Sequence, residues 1–192
     1  DPGVVEAVFA EAPEIDILIN NAGFGGHGPF HEQDLDRHRR MLALNIEALT
    51  ALTHLYLTGM IERGRGRILN VSSTASFLPG PLMAVYFATK AYVTSFSQAV
   101  AEEVRGTGVT VTALCPGPVR TGFEAAADMG GVPILERAVE AAVTAKAGYD
   151  GMMAGKLVIF DQTLIGLALG WVVPLLPRRL VLRISRRSME KG

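Results

Sequence analysis

Ile15-Asp16-Ile17-Leu18-Ile19-Asn20-Asn21-Ala22-Gly23 is the stretch that decides the fold. Its first five residues, β-branched for the most part and preceded by Pro13, predict a short strand. The run then turns polar and small at Asn20-Asn21, which ends a strand in a turn. The same pattern recurs twice downstream. Arg67 to Val71 predicts a strand closed by Ser72-Ser73, and Val109 to Leu114 predicts one closed by Cys115-Pro116-Gly117-Pro118. Helical segments lie between. Asp34 to Arg63 reads as one long helix, with Met41, Leu42, Leu44, Leu49, Leu52, Leu55 and Leu57 near helical spacing and Gly64 and Gly66 at its end. Met83 to Arg105 predicts a second helix, closed by Gly106 and Gly108. Val4 to Glu11 reads as the tail of a helix, Ile134 to Ala147 as another helix, and Leu157 to Phe160 as a last short strand.

Strands separated by helices of this length imply right-handed crossovers, hence an α/β fold with a doubly wound parallel sheet. Ligands of such sheets bind beyond the carboxyl ends of the strands. Asn20-Asn21, Ser72-Ser73 and Pro116 to Thr121 all follow strands, so one crevice should gather them. Composition agrees with a packed domain, since 49% of residues are hydrophobic and 19% charged. A net charge of -1 leaves no strong field for nucleic acid. The single cysteine, Cys115, cannot form an internal disulfide and is expected to be buried. His27, His31, His38 and His54 do not form a metal pattern, so no metal site is expected, although His27 is placed to line a substrate pocket. The chain opens on Asp1-Pro2-Gly3 with no Met and no signal-like stretch, which suggests a cytoplasmic protein whose beginning lies upstream.

Tyr86 and Lys90 lie one helical turn apart on a common face, and Ser73 ends a neighbouring strand. A phenol acts as a general acid near neutrality only if its pKa, ordinarily about 10, falls by several units. A nearby ammonium has the sign to do this. A serine hydroxyl beside the phenol can hold a substrate carbonyl oxygen. By itself Tyr-x-x-x-Lys also fits a surface pair, just as Asn20-Asn21 fits a turn and Pro116-Gly117-Pro118 a loop.

Taken in order, Asn20-Asn21-Ala22-Gly23, Asn45, Ser73, Tyr86, Lys90 and Pro116-Gly117-Pro118-Val119-Arg120-Thr121 closely resemble the short-chain dehydrogenase/reductase family, in spacing as well as type, over residues 1 to about 160. The resemblance implies a Rossmann-like fold and hydride transfer between NADP or NAD and a carbonyl or alcohol. It makes Tyr86 the acid/base, and Lys90 the residue that lowers its pKa and holds the nicotinamide ribose. It has Ser73, rather than Ser72, position the carbonyl, and Asn45 hold a water that links Lys90 to solvent. Asn21, Ala22 and Gly23 would line the cofactor cleft, and Pro116, Gly117, Val119 and Thr121 would lie beside the nicotinamide. A homodimer or homotetramer is implied, with residues 34–63 and 83–105 as its surface. The family also opens with a Gly-rich phosphate loop on its first strand, and no such segment occurs here. Residues 1–160 therefore read as the catalytic half of the domain, with the first strands lacking and a sheet edge open. The residue that selects NAD or NADP would lie in the lacking part; NADP is favoured as the coenzyme of many such reductases. A non-catalytic relative acting through partner or membrane contacts is the alternative.

Residues 161–192 read as an apolar and basic tail. Leu164 to Leu176 is almost continuously apolar and is followed by Arg178 and Arg179. Three readings stay open: packing over the substrate cleft or a partner subunit, peripheral insertion into a membrane interface, or a span. A span needs about 20 apolar residues. Glu124 to Val132, where relatives keep a substrate lid, is small and apolar and points to a hydrophobic substrate.

Overall fold

The computed structural model describes residues 2–162, 165–166 and 168–191; Leu164, at the head of the apolar tail run, lies outside them, as do Asp1, Thr163, Leu167 and Gly192. Four parallel strands form the sheet in the order β1 (Ile17–Asn20), β2 (Gly66–Val71), β3 (Val109–Leu114) and β6 (Val158–Ile159). The register is continuous, with Ile68 beside Leu18 and Val111, and Leu114 beside Ile159.

Side chains alternate across a strand, so neighbouring residues feed opposite layers. Leu18, Ile68, Val109 and Val111 meet Tyr56 and Met60 of α3 (Leu49–Glu62) and Val100 of α4 (Ala84–Glu103). Phe9 of α1 (Pro2–Glu11) closes this layer, its ring edge-on to Tyr56 at 5.0 Å between centroids. On the other side Leu69, Leu114 and Ile159 pack on Met152 of α6 (Ala141–Met153). Burying each such side chain contributes roughly 1.5–3 kcal/mol. Helices on both faces of a parallel sheet make the doubly wound α/β fold expected from the sequence. Among the described residues β1 is paired only on its β2 side.

The long helix expected over 34–63 is helical throughout but changes winding. Asp34 caps it by accepting hydrogen bonds from the Asp36 and Arg37 amides; α2 (Leu35–Leu42) then widens into a π-helical segment at Ala43–Ala48 before α3 begins. Asn45 lies in that segment. The helix expected over Ile134 to Ala147 begins later. Pro133–Arg137 is a 3-10 turn, Val139–Glu140 is extended as β5, and α6 starts only at Ala141. The reason is a long-range pairing: β5 lies parallel to β4 (Val119–Arg120), reinforced by an Arg120–Glu140 ion pair. Two-residue strands have no local pattern of their own.

The tail folds back onto the domain. Its last helix, α7 (Arg178–Met189), buries Val181, Ser185 and Met189, the stripe that helical spacing puts on one side. Met189 enters a cluster with Ala75, Met83, Phe87, Ala127, Met129 and Val132, and Ser185 Oγ donates to the Pro79 carbonyl at 2.8 Å. No helix among the described residues is long and apolar enough to cross a membrane.

Candidate active site

The three carboxyl-terminal loops expected to share a crevice do so. The loop after β2 is tied to β3 and the loop beyond it, the Ser72 amide donating to Leu114 O at 2.7 Å and the Thr74 amide to Pro116 O at 2.8 Å. Ser73 is extended there, and its Oγ accepts from the Ala75 amide. This loop and α4 form one wall of a cavity of about 1060 Å³. Asn21, Gly23, Ser73, Tyr86, Lys90, Pro116, Gly117, Val119 and Thr121 all line it. Ala22 is not among the lining residues.

Ser72 and Ser73 face opposite ways. Ser72 is buried, donates to the Lys90 carbonyl at 2.8 Å and sits 2.6 Å from Thr94 Oγ1. It fastens the strand end to α4 and leaves Ser73 for the cavity. Cys115 is buried behind them, 3.6 Å from Thr94 Oγ1, and burial pushes its thiol up. Asn20 likewise turns inward, its amide donating to Asn70 Oδ1 at 2.8 Å and Thr53 Oγ1 at 3.2 Å, while Asn70 donates to Ser97. That buried chain joins β1 and β2 to α3 and α4, and only Asn21 is left at the cleft.

Lys90 is buried, with Nζ donating to the Val71 carbonyl at 2.8 Å and lying 5.8 Å from the centroid of the Tyr86 ring. Burial depresses its pKa to about 8. Tyr86 is partly accessible from the cavity but otherwise enclosed by apolar side chains, with the Phe123 ring 5.2 Å away. Burial pushes the phenol up to about 12, and the hydrogen bond with Ser73 works against that rise. A pKa lowered toward neutrality by Lys90, as the family resemblance implied, is therefore not met in this arrangement. The loss of hydration outweighs the Ser73 hydrogen bond that lowers the phenol's pKa.

Asn45 stands behind the cleft. Its Nδ2 donates to Phe24 O at 2.9 Å and Thr89 Oγ1 at 3.1 Å, and its Oδ1 accepts from the Phe24 amide. A Cβ on Gly23 would lie 3.0 Å from Asn45 Oδ1 and 3.6 Å from Lys90 Nζ, so the glycine lets the β1 loop approach both.

A family model described as short chain dehydrogenase matches residues 2–129. The chain belongs to the short-chain dehydrogenase family. It is 34% identical over 184 residues to the very-long-chain 3-oxoacyl-CoA reductase of Macaca fascicularis, covering 93% of this chain and 56% of that protein. It is 38% identical over 122 residues to the 2-keto-3-deoxy-L-fuconate dehydrogenase of Xanthomonas campestris, covering 63% of this chain and 41% of that one. A short-chain dehydrogenase from Sphingobium yanoikuyae solved in complex with NADPH superposes with a TM-score of 0.76 at 29% identity, over 92% of this chain and 71% of that one. The chain thus spans about half the length of these curated relatives.

One part of the site escaped the sequence reading. Asp161 and Gln162 open the stretch that the sequence presents only as an apolar and basic tail. Asp161 Oδ1 accepts from the Gly117 amide at 2.9 Å and its Oδ2 from Thr144, holding the Pro116 to Val119 loop in place. Gln162 Nε2 is buried with no hydrogen-bond partner among the described residues, and a Cβ on Gly117 would lie 2.7 Å from it. Both residues closely follow a strand, β6, so the rule that gathered the other clusters could have found them. The tail packs over the cavity, one of the three readings that the sequence left open, with Leu169, Val173, Leu176, Val181 and Met189 among the lining residues. His27, expected to line the pocket, is not among the lining residues; its Nε2 lies 2.6 Å from the Met189 carbonyl and ties the loop to the tail.

Proposed function

We propose that this chain transfers a hydride reversibly between NADP, or NAD, and a hydrophobic carbonyl or alcohol substrate. The observation that carries this reading is the convergence of Ser73, Tyr86 and Lys90 on one cavity whose other lining residues are largely apolar. The residues present fit a nicotinamide dinucleotide. The side-chain-free Gly23 and Gly117 allow close approach, and the unspent donor of Gln162 lies beside the loop expected to meet the carboxamide. The relative solved with NADPH supports the same cofactor class.

A bound nicotinamide supplies or accepts the hydride. The protein's own groups handle the oxygen. Ser73 Oγ donates a hydrogen bond to the substrate carbonyl and keeps it beside Tyr86. The Tyr86 hydroxyl gives its proton to the substrate oxygen in reduction and takes it back in oxidation. Lys90 holds the ribose with the N–H bonds not spent on Val71, and its positive charge favours the phenolate between the two transfers. Asn21 lines the adenosine side of the cleft with Gly23, and Pro116, Gly117, Val119 and Thr121 set the ring face. Asn45 is a positioning residue that clamps the Phe24 backbone to α4, and to its segment we assign the water that passes protons between Lys90 and solvent.

Met83, Phe87, Phe123, Met129 and Leu135 among the lining residues favour a substrate with a substantial hydrocarbon part. We assign a homodimer or homotetramer interface to α3 and α4, where Tyr92 is exposed, and the protein to the cytoplasm. The test is Tyr86→Phe. NADPH oxidation coupled to reduction of an aliphatic ketone should fall by about 10²–10⁴-fold, while NADPH binding followed by nicotinamide fluorescence stays intact. Undiminished reduction would overturn the assignment.

A further inference from the structure

The segment just before α7 is apolar on two sides, and only one of them is used. Leu169, Val173 and Leu176 line the cavity. Trp171, Val172 and Leu175 point the other way, with 74%, 54% and 85% of their surfaces exposed. They form one cluster a helical turn long. Immediately after it come Arg178 and Arg179, and α7 adds Arg183, Arg186 and Arg187. Among the described residues only Arg186 of these five is in an ion pair, with Glu190. A chain of net charge -1 has therefore gathered unpaired positive charge beside its one tryptophan and the most exposed leucine among the described residues.

We infer that this surface docks on an anionic phospholipid bilayer, with Trp171, Val172 and Leu175 entering the interface and the arginines at the headgroups. Tryptophan is favoured at that depth, where an apolar body meets a polar boundary. Arginines beside an apolar cluster add attraction to anionic lipid. A second copy of the chain is a poorer occupant, because a two-fold contact brings the same arginines face to face. The consequence concerns the site behind. The inner side of the docked segment is the wall of the cavity, so docking sets that cavity next to the bilayer, where a hydrocarbon substrate is most concentrated.

The chain contains one tryptophan, so Trp171 fluorescence reports the event directly and independently of any enzymatic activity. The full chain is mixed with vesicles of phosphatidylglycerol and phosphatidylcholine, and separately with phosphatidylcholine alone. Expected are a blue shift and quenching by lipids brominated in the acyl chain with the anionic vesicles, both weakened by high salt. In vesicle sedimentation, each arginine near the surface accounts for about fivefold in partition, so Arg178→Gln with Arg179→Gln lowers it about 25-fold. Leu175→Ser, at a solvent-facing position outside the cavity lining, lowers sedimentation without loss of helix content. An emission spectrum unmoved by anionic vesicles, equal binding to both vesicle types, or self-association that Leu175→Ser abolishes in the absence of lipid overturns the proposal.

Discussion

Lys90→Met should stabilise the folded chain at neutral pH and destabilise it at high pH. The lysine is buried and its pKa falls from 10.5 to about 8, which corresponds to a cost of about 3 kcal/mol carried by the fold while the group is charged. Methionine has nearly the same volume and no charge to desolvate. Against that gain stands the Val71 carbonyl, which loses the 2.8 Å bond from Nζ at about 1 kcal/mol. The variant should lead by about 2 kcal/mol at pH 7. The sign of the pH dependence follows from proton counting. Between about 8 and 10.5 the unfolded chain still holds the lysine proton that the folded chain has released. Stability of the parent therefore rises with pH across that window, and the variant lacks this rise. The two should cross, with the variant about 1 kcal/mol behind once the lysine is neutral in both states. Tyr86, raised to about 12, removes stability above pH 10.0 in both proteins and cancels from the difference. Urea unfolding followed by far-UV circular dichroism at pH 7 and at about pH 11.5, above the unfolded lysine's pKa, reads both points. A variant less stable than the parent at pH 7, or a difference that does not change with pH, refutes the reasoning. Carbonyl reduction should be lost in the variant at either pH.

The adjacent serines should separate. Ser72→Ala removes hydrogen bonds to Lys90 O and Thr94 and should cost about 1–2 kcal/mol in unfolding measurements, whereas Ser73→Ala should leave most of the stability and lower the turnover of ketone reduction by about 10²-fold. Gly108→Ala tests the turn before β3, since the residue sits at φ +86 and a Cβ would meet the Gly64 carbonyl oxygen at 2.0 Å. The conformation alone costs about 1–3 kcal/mol and the clash adds to it, so a lower denaturation midpoint with unchanged cofactor affinity is expected, and an unchanged midpoint would contradict the close approach of the two turns.

The features legible before folding were those written locally. Ile15 to Gly23 carries its own strand and its own stop, Tyr86 and Lys90 share a helix face because of helical spacing, and polar clusters after strands fall at one end of a parallel sheet by topology. Those readings needed no contact between distant residues, and the sheet, its two helical layers and the shared crevice follow them. Tertiary structure decided what depends on partners far along the chain. Pairing with Val119–Arg120 made Val139–Glu140 a strand where local pattern predicted helix. The fold-back of α7 turned an apolar run into a cavity wall on one side and an exposed cluster on the other. Asp161 took the Gly117 amide across the crevice. The direction of the Tyr86 shift was settled the same way: the sequence supplies a lysine one turn away, but burial raises the phenol further than Ser73 lowers it, and burial is a property of the packed chain.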